Sequence, residues 1–361
     1  MGKYLKPDSN KHNKKRFLKF LVATLSTVLI VFLAGIGFLW SKLTLIQFDD
    51  DSSQVNYTYD SSETIADDEE YIVNVDGLQT VETAPVIPDS EVFAEDHIMN
   101  ILILGTDERS EEFNTNARSD CMILVSIDKN SNSVKLVSLE RGIAVPILQG
   151  QYEGEYDLLT HIFRYGGSEL VTKTVEHCFK VNVDHYVRFN FNSVREAIDA
   201  IGGIDIELTK AEAKELNKGI NRDGVNRTTL QEGVNSLDGF LALDFARLRS
   251  IDSDWRRVER QRKVILAVVD RLKGSSLLTL NDLADTVLPL IQTNLSKMEI
   301  AELILYAPNF LQSEFDQMTI PKQGTYGGMR IIGGKGGFAI DYDVNLPLLH
   351  GFLFGEDAQI Q

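Results

Sequence analysis

Between Phe20 and Trp40 the chain reads FLVATLSTVLIVFLAGIGFLW, a stretch of twenty-one residues without a charge. A helix rising about 1.5 Å per residue crosses a hydrocarbon core of about 30 Å in that length, so the run is expected to be a membrane span, residues 20–41. A cleaved signal peptide is the alternative, but its apolar region is usually only about 7–15 residues, and no A-x-A site follows Trp40. Lys3, Lys6, Lys11, Lys14, Lys15, Arg16 and Lys19 precede the run, and mostly Asp and Glu follow it. The excess of positive charge before the span predicts a cytosolic tail, residues 1–19, and places everything from about Lys42 onward outside the cell membrane.

Charge is distributed to match. The whole chain carries −17, but residues 1–40 carry +6 and residues 41–98 carry −14, leaving −9 on the remainder. With fifteen acids and little apolar periodicity, residues 42–97 are expected to be an acidic extracellular linker, serving either as a spacer or as a partner-binding tail. A moderately acidic remainder is a poor binder of nucleic acid, because non-specific binding needs a broad basic surface. Cys121 and Cys178 provide no disulfide framework for an oxidising compartment. Two separate buried thiols are the expectation, although nothing in the sequence forbids a single bridge.

Apolar runs after this linker outline an α/β domain. Ile98 to Gly105, Met122 to Ile127 and Val134 to Leu139 read as strands covered on both faces. Their ends present Asp107, Asp120 and Arg141, and strand ends are where rigid scaffolds hold ligand-binding groups. Ser168 to Val181 reads as a helix, His185 to Phe191 as a strand, and Ser193 to Ile201 as a helix stopped by Gly202-Gly203. Ile204 to Leu208 is a further strand, and the polar stretch Lys210 to Thr229 is expected to be a surface loop. Helices follow from Leu278 to Phe310, with a last strand at Phe338 to Tyr342 and a last helix near Leu346 to Phe354. The glycine-rich GGMRIIGGKGG is no phosphate loop, since Gly336 follows Lys335 where the G-x-x-x-x-G-K-[ST] spacing requires Ser or Thr.

One stretch stands out in this acidic background. DFARLRSIDSDWRRVERQRK, Asp244 to Lys263, places Arg247, Arg249, Arg256, Arg257, Arg260 and Arg262 within sixteen residues. Guanidinium is a flat, permanently charged fork matched to carboxylate and phosphate oxygens, so the cluster is either an anion site or a salt-bridged helix surface. Ser253 or Asp254 is placed to cap a helix from Trp255 to about Lys273, with Val258, Ile265, Val268 and Leu272 on one face. Gln261 falls on that same face, where a polar side chain needs partners, either from the protein or from a polar ligand.

Together ILILGTDER, ARSDCMILVSI, VKLVSLERG, FRYGGSELV, NFNSVREAIDAIGGIDIEL, LDGFLALDFARLR and DSDWRRVERQR resemble the LytR-CpsA-Psr family of bacterial cell-envelope proteins, in order and spacing. The likeness covers residues 98–274, with a weaker echo at 338–355, so residues 275–361 are expected to pack on the same domain. It implies a three-layer α-β-α sandwich with a mixed central sheet, preceded by one N-terminal transmembrane helix, in a Gram-positive-type envelope. It also implies transfer of an anionic glycopolymer from an undecaprenyl-pyrophosphate carrier to peptidoglycan. Asp107 and Asp120 then match metal-binding aspartates, for Mg²⁺ or Mn²⁺, and Arg118, Arg141, Arg247, Arg249, Arg257 and Gln261 match pyrophosphate-binding positions. Arg141, Asp107 and Asp120 become the catalytic candidates, and Asp254 matches a supporting acid. Three positions depart from the pattern: Gly142 replaces an Asp, Ala117 a Gly, and His161 a Lys or Arg. The missing acid keeps a second reading open, a non-catalytic polyprenyl-pyrophosphate-binding regulator or assembly partner of polymer export.

Overall fold

The computed structural model describes residues 37–38, 40–49, 75, 77–108, 117–249, 251, 254–273 and 277–355. The run Phe20–Trp40 lies almost wholly outside them, and among the described residues no helix is long and apolar enough to cross a membrane. Residues 1–45 and 46–361 form separate compact units, and the fold described here is that of the second.

Its centre is a mixed sheet of seven strands among the described residues. In spatial order these are β1 (Gln47–Phe48), β10 (Ile291–Thr293), β7 (His185–Asn190), β2 (Ile98–Thr106), β3 (Ser119–Asp128), β4 (Ser133–Leu139) and β11 (Phe315–Ile320). β2 pairs antiparallel with β3 and parallel with β7, and β3 pairs antiparallel with β4. The apolar runs are continuous because both faces are covered. Leu102, Leu104, Met122 and Leu124 point to one face, against helices α1 (Ile162–Phe179) and α8 (Tyr342–Phe354). Ile101, Ile123 and Leu136 point to the other, where Ile265 of α5 (Asp254–Lys273) and Leu303 of α7 (Lys297–Leu311) pack. This is the expected mixed sheet between helical layers.

Smaller units complete it. β5 (Ala144–Pro146) pairs with β6 (Tyr156–Leu158), and β8 (Ile204–Leu208) with β9 (Gly233–Leu237). β12 (Tyr326–Arg330) pairs with β13 (Gly336–Ile340), so the glycine-rich segment is a hairpin. α2 (Phe191–Ala200), α4 (Gly239–Arg247) and α6 (Leu277–Val287) stack beside α5 at the end of the sheet that carries Asp107. α2 starts with a capping box between Asn190 and Ser193, which fixes the turn from β7 into the helix. α1 is broken at Gly166-Gly167, with Gly167 at φ 64°, so a regular helix runs from Ser168 as expected.

Two expectations change. Lys210 to Thr229 is not all loop, because Lys210–Asn217 forms helix α3, closed by a capping box between Thr209 and Glu212 and anchored by buried Ala213 and Leu216. Parts of residues 42–97 belong to the fold: Gln47–Phe48 form β1 against β10, and Thr80 and Phe93 bridge Gly328 and Val181. The expectation of two separate thiols holds: Cys121 and Cys178 are both free, Cys178 buried and Cys121 half-buried.

Candidate functional site

At the ends of β2 and β3 the chain makes a hairpin whose two arms carry the sequence-marked acids. Arg118 donates to Asp107 twice, from its backbone N–H to Oδ1 at 2.8 Å and from Nε to Oδ2 at 2.7 Å. Asp120, the second residue of β3, accepts from Arg141 Nη1 and lies 3.5 Å from Arg249 Nη2. Burial alone would push the Asp120 carboxyl up, but Arg141, Arg257, Arg249 and Arg118 outweigh it and hold it well below the usual carboxylate range. Asp120 is therefore a fixed anion inside a ring of cations.

The arginine stretch arrives from the opposite side. Arg247 ends α4 with its guanidinium 4.4 Å from the centroid of the Phe191 ring, and Arg249 follows it. Arg257, one turn into α5, is 2% exposed. Gln261, a turn later, donates from Nε2 to the backbone carbonyl of Asp120 at 3.3 Å. That contact explains a glutamine on an apolar face: it ties α5 to the first residues of β3.

Asp107, Arg118, Asp120, Arg247, Arg249, Arg257 and Gln261 all line a single cavity of about 1100 Å³. Arg141 lies behind it and acts through Asp120. Asp254 opens α5, and the position of its side chain lies outside the described residues. Beyond the charged groups the cavity wall turns apolar, with Phe189, Val194, Leu243, Val264, Val268 and Val287 among its residues. Val268 and Ile265 read as core from periodicity alone, yet both line this space. α2 and α4 approach closely enough to form the wall because residue 239 is glycine; a Cβ there would sit 2.1 Å from the Arg195 carbonyl oxygen.

Several features were not marked by the sequence. Glu108 is 4% exposed, lines the cavity and pairs with Arg188 and with the Thr106 hydroxyl. Phe191 carries Arg247, and only its place after the N-cap Asn190 hints at such a role. Cys121 also faces the cavity, but burial pushes its thiol up to about 12, which keeps it protonated and a poor nucleophile. His161 is buried with Nδ1 2.8 Å from Asp157 Oδ1, and the Tyr165 hydroxyl donates to Asp157 Oδ2 at 2.7 Å. It belongs to a packed polar cluster under the Arg141 loop, whose carbonyl accepts from the Thr160 N–H at 3.1 Å.

Arg256 and Arg262 separate. Arg256 is exposed and pairs with Glu259 at 2.7 Å. Arg262 does not face solvent as its neighbour does; its Nη1 donates to Ser138 Oγ at 3.1 Å and the Met318 carbonyl at 2.9 Å, pinning α5 to β4 and β11.

A model of the LytR_cpsA_psr family matches residues 52–337, well beyond the stretch 98–274 that carries the motifs. The chain belongs to this family. Among its relatives, TagT of Bacillus subtilis strain 168, named a polyisoprenyl-teichoic acid–peptidoglycan teichoic acid transferase, is 31% identical over 61% of this chain and 67% of its own length. A protein of the same description, TagU of Enterococcus faecalis strain V583, is 32% identical over 63% of this chain and 70% of its own. A solved structure described as TagT bound to LIIa-WTA superposes with a TM-score of 0.56 at 26% identity, covering 75% of this chain and 96% of that one. On this likeness to named transferases, the chain is a transferase of the LytR-CpsA-Psr family.

Proposed function

We propose that this protein is a membrane-anchored phosphotransferase that moves an anionic glycopolymer from an undecaprenyl-pyrophosphate carrier to peptidoglycan outside the cell. One observation carries the reading: a single cavity joins a cluster of guanidiniums and the strand-end carboxylates Asp107 and Asp120 to an apolar wall. That pattern suits an amphiphile with a doubly anionic head and an isoprenoid tail. The names of the relatives, which act on polyisoprenyl-teichoic acid and peptidoglycan, support the same substrate class.

In this reading Arg118, Arg249, Arg257 and Arg247 hold the pyrophosphate oxygens, and Gln261 keeps α5 in register with β3. Arg141 fixes Asp120 from behind. Asp107 and Asp120 are hard oxygen donors on one cavity wall, the ligand type that Mg²⁺ or Mn²⁺ takes when phosphate oxygens and water complete its coordination. Such an ion supplies charge neutralisation at the phosphates. A sugar hydroxyl of the wall attacks the polymer-side phosphorus; a P–O bond forms to the acceptor, the bridging P–O bond breaks, the hydroxyl proton is lost, and polyprenyl monophosphate leaves. Charge accumulates on oxygens facing preorganised guanidiniums, which is where phosphoryl transfer is accelerated.

The absence of an acid after Arg141 favours a second reading, in which the chain binds the lipid pyrophosphate without turnover and regulates or assembles an export complex. Gly142 donates its own N–H to Glu140 Oε1 at 3.4 Å, and its carbonyl accepts from Phe338 at 2.9 Å. Lipid extraction from the purified protein followed by mass spectrometry tests the shared element. A recovered polyprenyl pyrophosphate supports both readings, and its absence after co-expression with a carrier-linked polymer pathway counts against both. Transfer of labelled polymer to peptidoglycan by the same preparation separates enzyme from binder.

A further inference from the structure

Helix α7 has a bare apolar side. Leu303 and Phe310 pack inward with Ile265 and Leu266 beneath the sheet. On a 3.6-residue wheel Met298, Ala301, Ile304, Leu305 and Pro308 share an arc of about 120° on another side. Met298 is 69% exposed, Leu305 77% and Ile304 47%. Lys297 falls on the same arc, but at the very start of the helix, where a long stem carries the charge away from the apolar surface. The acids of α7 lie outside the arc and are engaged, Glu299 with His185 at 3.2 Å and Glu302 with Lys129 at 3.1 Å. Soluble domains seldom leave such a stripe in water, and contiguous apolar surface of this kind marks a partner or a membrane.

Position in the chain selects the membrane. From Trp40, the end of the uncharged run, to Gln47, the start of β1, is seven residues, a reach of at most about 25 Å. β1 pairs with β10, and β10 leads into α7 through three residues. Lys297 holds its Nζ 5.5 Å from the centroid of the Phe48 ring, so the start of α7 lies beside β1. Val287 and Ile291, just before and within β10, belong to the wall of the cavity. β1, the first strand after that short connection, the start of α7 and the cavity wall at Val287 and Ile291 therefore lie along one edge of the sheet.

We infer that the outward arc of α7 rests in the interfacial layer of the bilayer to which the run 20–40 anchors the chain, holding the cavity against the surface from which its lipid is drawn. This docking rests on the reading of that run as a retained span, and it adds a second attachment to the single helix. It makes lipid capture a local transfer from headgroup depth rather than a lift through water.

The test uses the full chain in vesicles of phosphatidylglycerol and phosphatidylethanolamine, carrying Cys121→Ser so that the remaining Cys178, fully buried, stays unlabelled. A nitroxide is placed at Leu305→Cys, at Val234→Cys on β9 as an aqueous reference, and at Leu29→Cys within the run. Collision with oxygen and with a water-soluble nickel chelate then gives the depth of each site, and circular dichroism confirms that each labelled chain is folded. The expected result is strong oxygen and weak nickel access at 305, with the reverse at 234, which is 73% exposed. If 305 reads like 234 while 29 lies in the bilayer, the docking is overturned and the span stands. If 29 and 305 are both aqueous, both fall. Exclusion of both probes at 305, with a short spin–spin distance between labelled chains, assigns the arc to a second copy and overturns the membrane contact. None of these readouts depends on transferase activity, so failure of the proposed reaction leaves them interpretable.

Discussion

Arg256 and Arg257 are neighbours in sequence and opposites in environment. Arg256 extends into solvent beside Glu259, whereas Arg257 is buried at the cavity wall and helps hold Asp120 ionised. An exposed pair is worth about 0–1 kcal/mol, while losing a desolvated, charge-assisted contact costs about 2–5 kcal/mol. Arg257→Ala should therefore lower affinity for a polyprenyl pyrophosphate by roughly tenfold or more, and Arg256→Ala should leave it nearly unchanged, as read by titration of the folded variants. Arg257→Lys should rescue poorly, since a point charge cannot replace a fork. Arg262→Ala belongs to a different class: it removes the bonds to Ser138 and Met318 and should lower the melting temperature while sparing affinity. Asp107→Ala and Asp120→Ala should weaken Mg²⁺-dependent binding of the same lipid, and calorimetry showing unchanged metal dependence in both would reduce them to partners of Arg118 and Arg141. The polar half of the cavity was legible because charge density and strand-end position are properties of the sequence itself. Phe191 and Glu108 were not, because an aromatic after an N-cap or an acid near a strand end acquires meaning only when Arg247 or Arg188 is folded against it.

At the level of elements, the sheet could be read from unbroken apolar runs, because strands covered on both faces leave no polar alternation to confuse the period. Helix α3 could not, since its apolar content is slight and only the pair Thr209 and Glu212 announces it. That helix is held from outside as well as by its cap. Glu212 Oε1 accepts from Arg260 Nε at 2.8 Å, with both side chains buried, and Arg260 also donates to the Leu248 carbonyl at 2.9 Å. Burial pushes the Glu212 carboxyl up, but hydrogen bonds from Arg260 and Thr209 and the charge of Arg260 outweigh it, leaving it below the ordinary glutamate value of 4.5. A depressed folded value means that this stabilisation is complete above the ordinary range and disappears as pH falls through the lowered value. Glu212→Ala should destabilise by about 3–5 kcal/mol at pH 7, because it strands a buried guanidinium. Relative to wild type, that penalty should shrink as denaturant melts are taken from pH 7 to below 4.5. Gly239→Ala tests the cavity wall: a Cβ in contact with the Arg195 carbonyl forces α2 and α4 apart, and the variant should melt several degrees lower.

On the scale of the whole molecule, the chemistry proposed for the cavity requires that the sheet lie on the side of the membrane where peptidoglycan is found. Our proposal takes that orientation from the charges flanking the run 20–40: seven cations before it are expected to hold the amino terminus in the cytosol, and an acidic segment after it imposes no contrary bias. A transferase with a soluble carrier would need no such arrangement, and a lipid carrier needs both an anchor and an external domain. Protease added to intact protoplasts should therefore remove the domain while leaving residues 1–19 protected, and a reporter fused after Gln361 should be active only if it functions outside the membrane. The two measurements fail differently. A protected domain with an externally active reporter would mean that the fold resists cleavage, as a sheet buried on both faces can, and limited unfolding with mild denaturant would then restore cutting. A protected domain with a cytosolic reporter would reverse the topology, and with it the access of Asp107, Asp120 and the arginine cluster to any cell-wall acceptor.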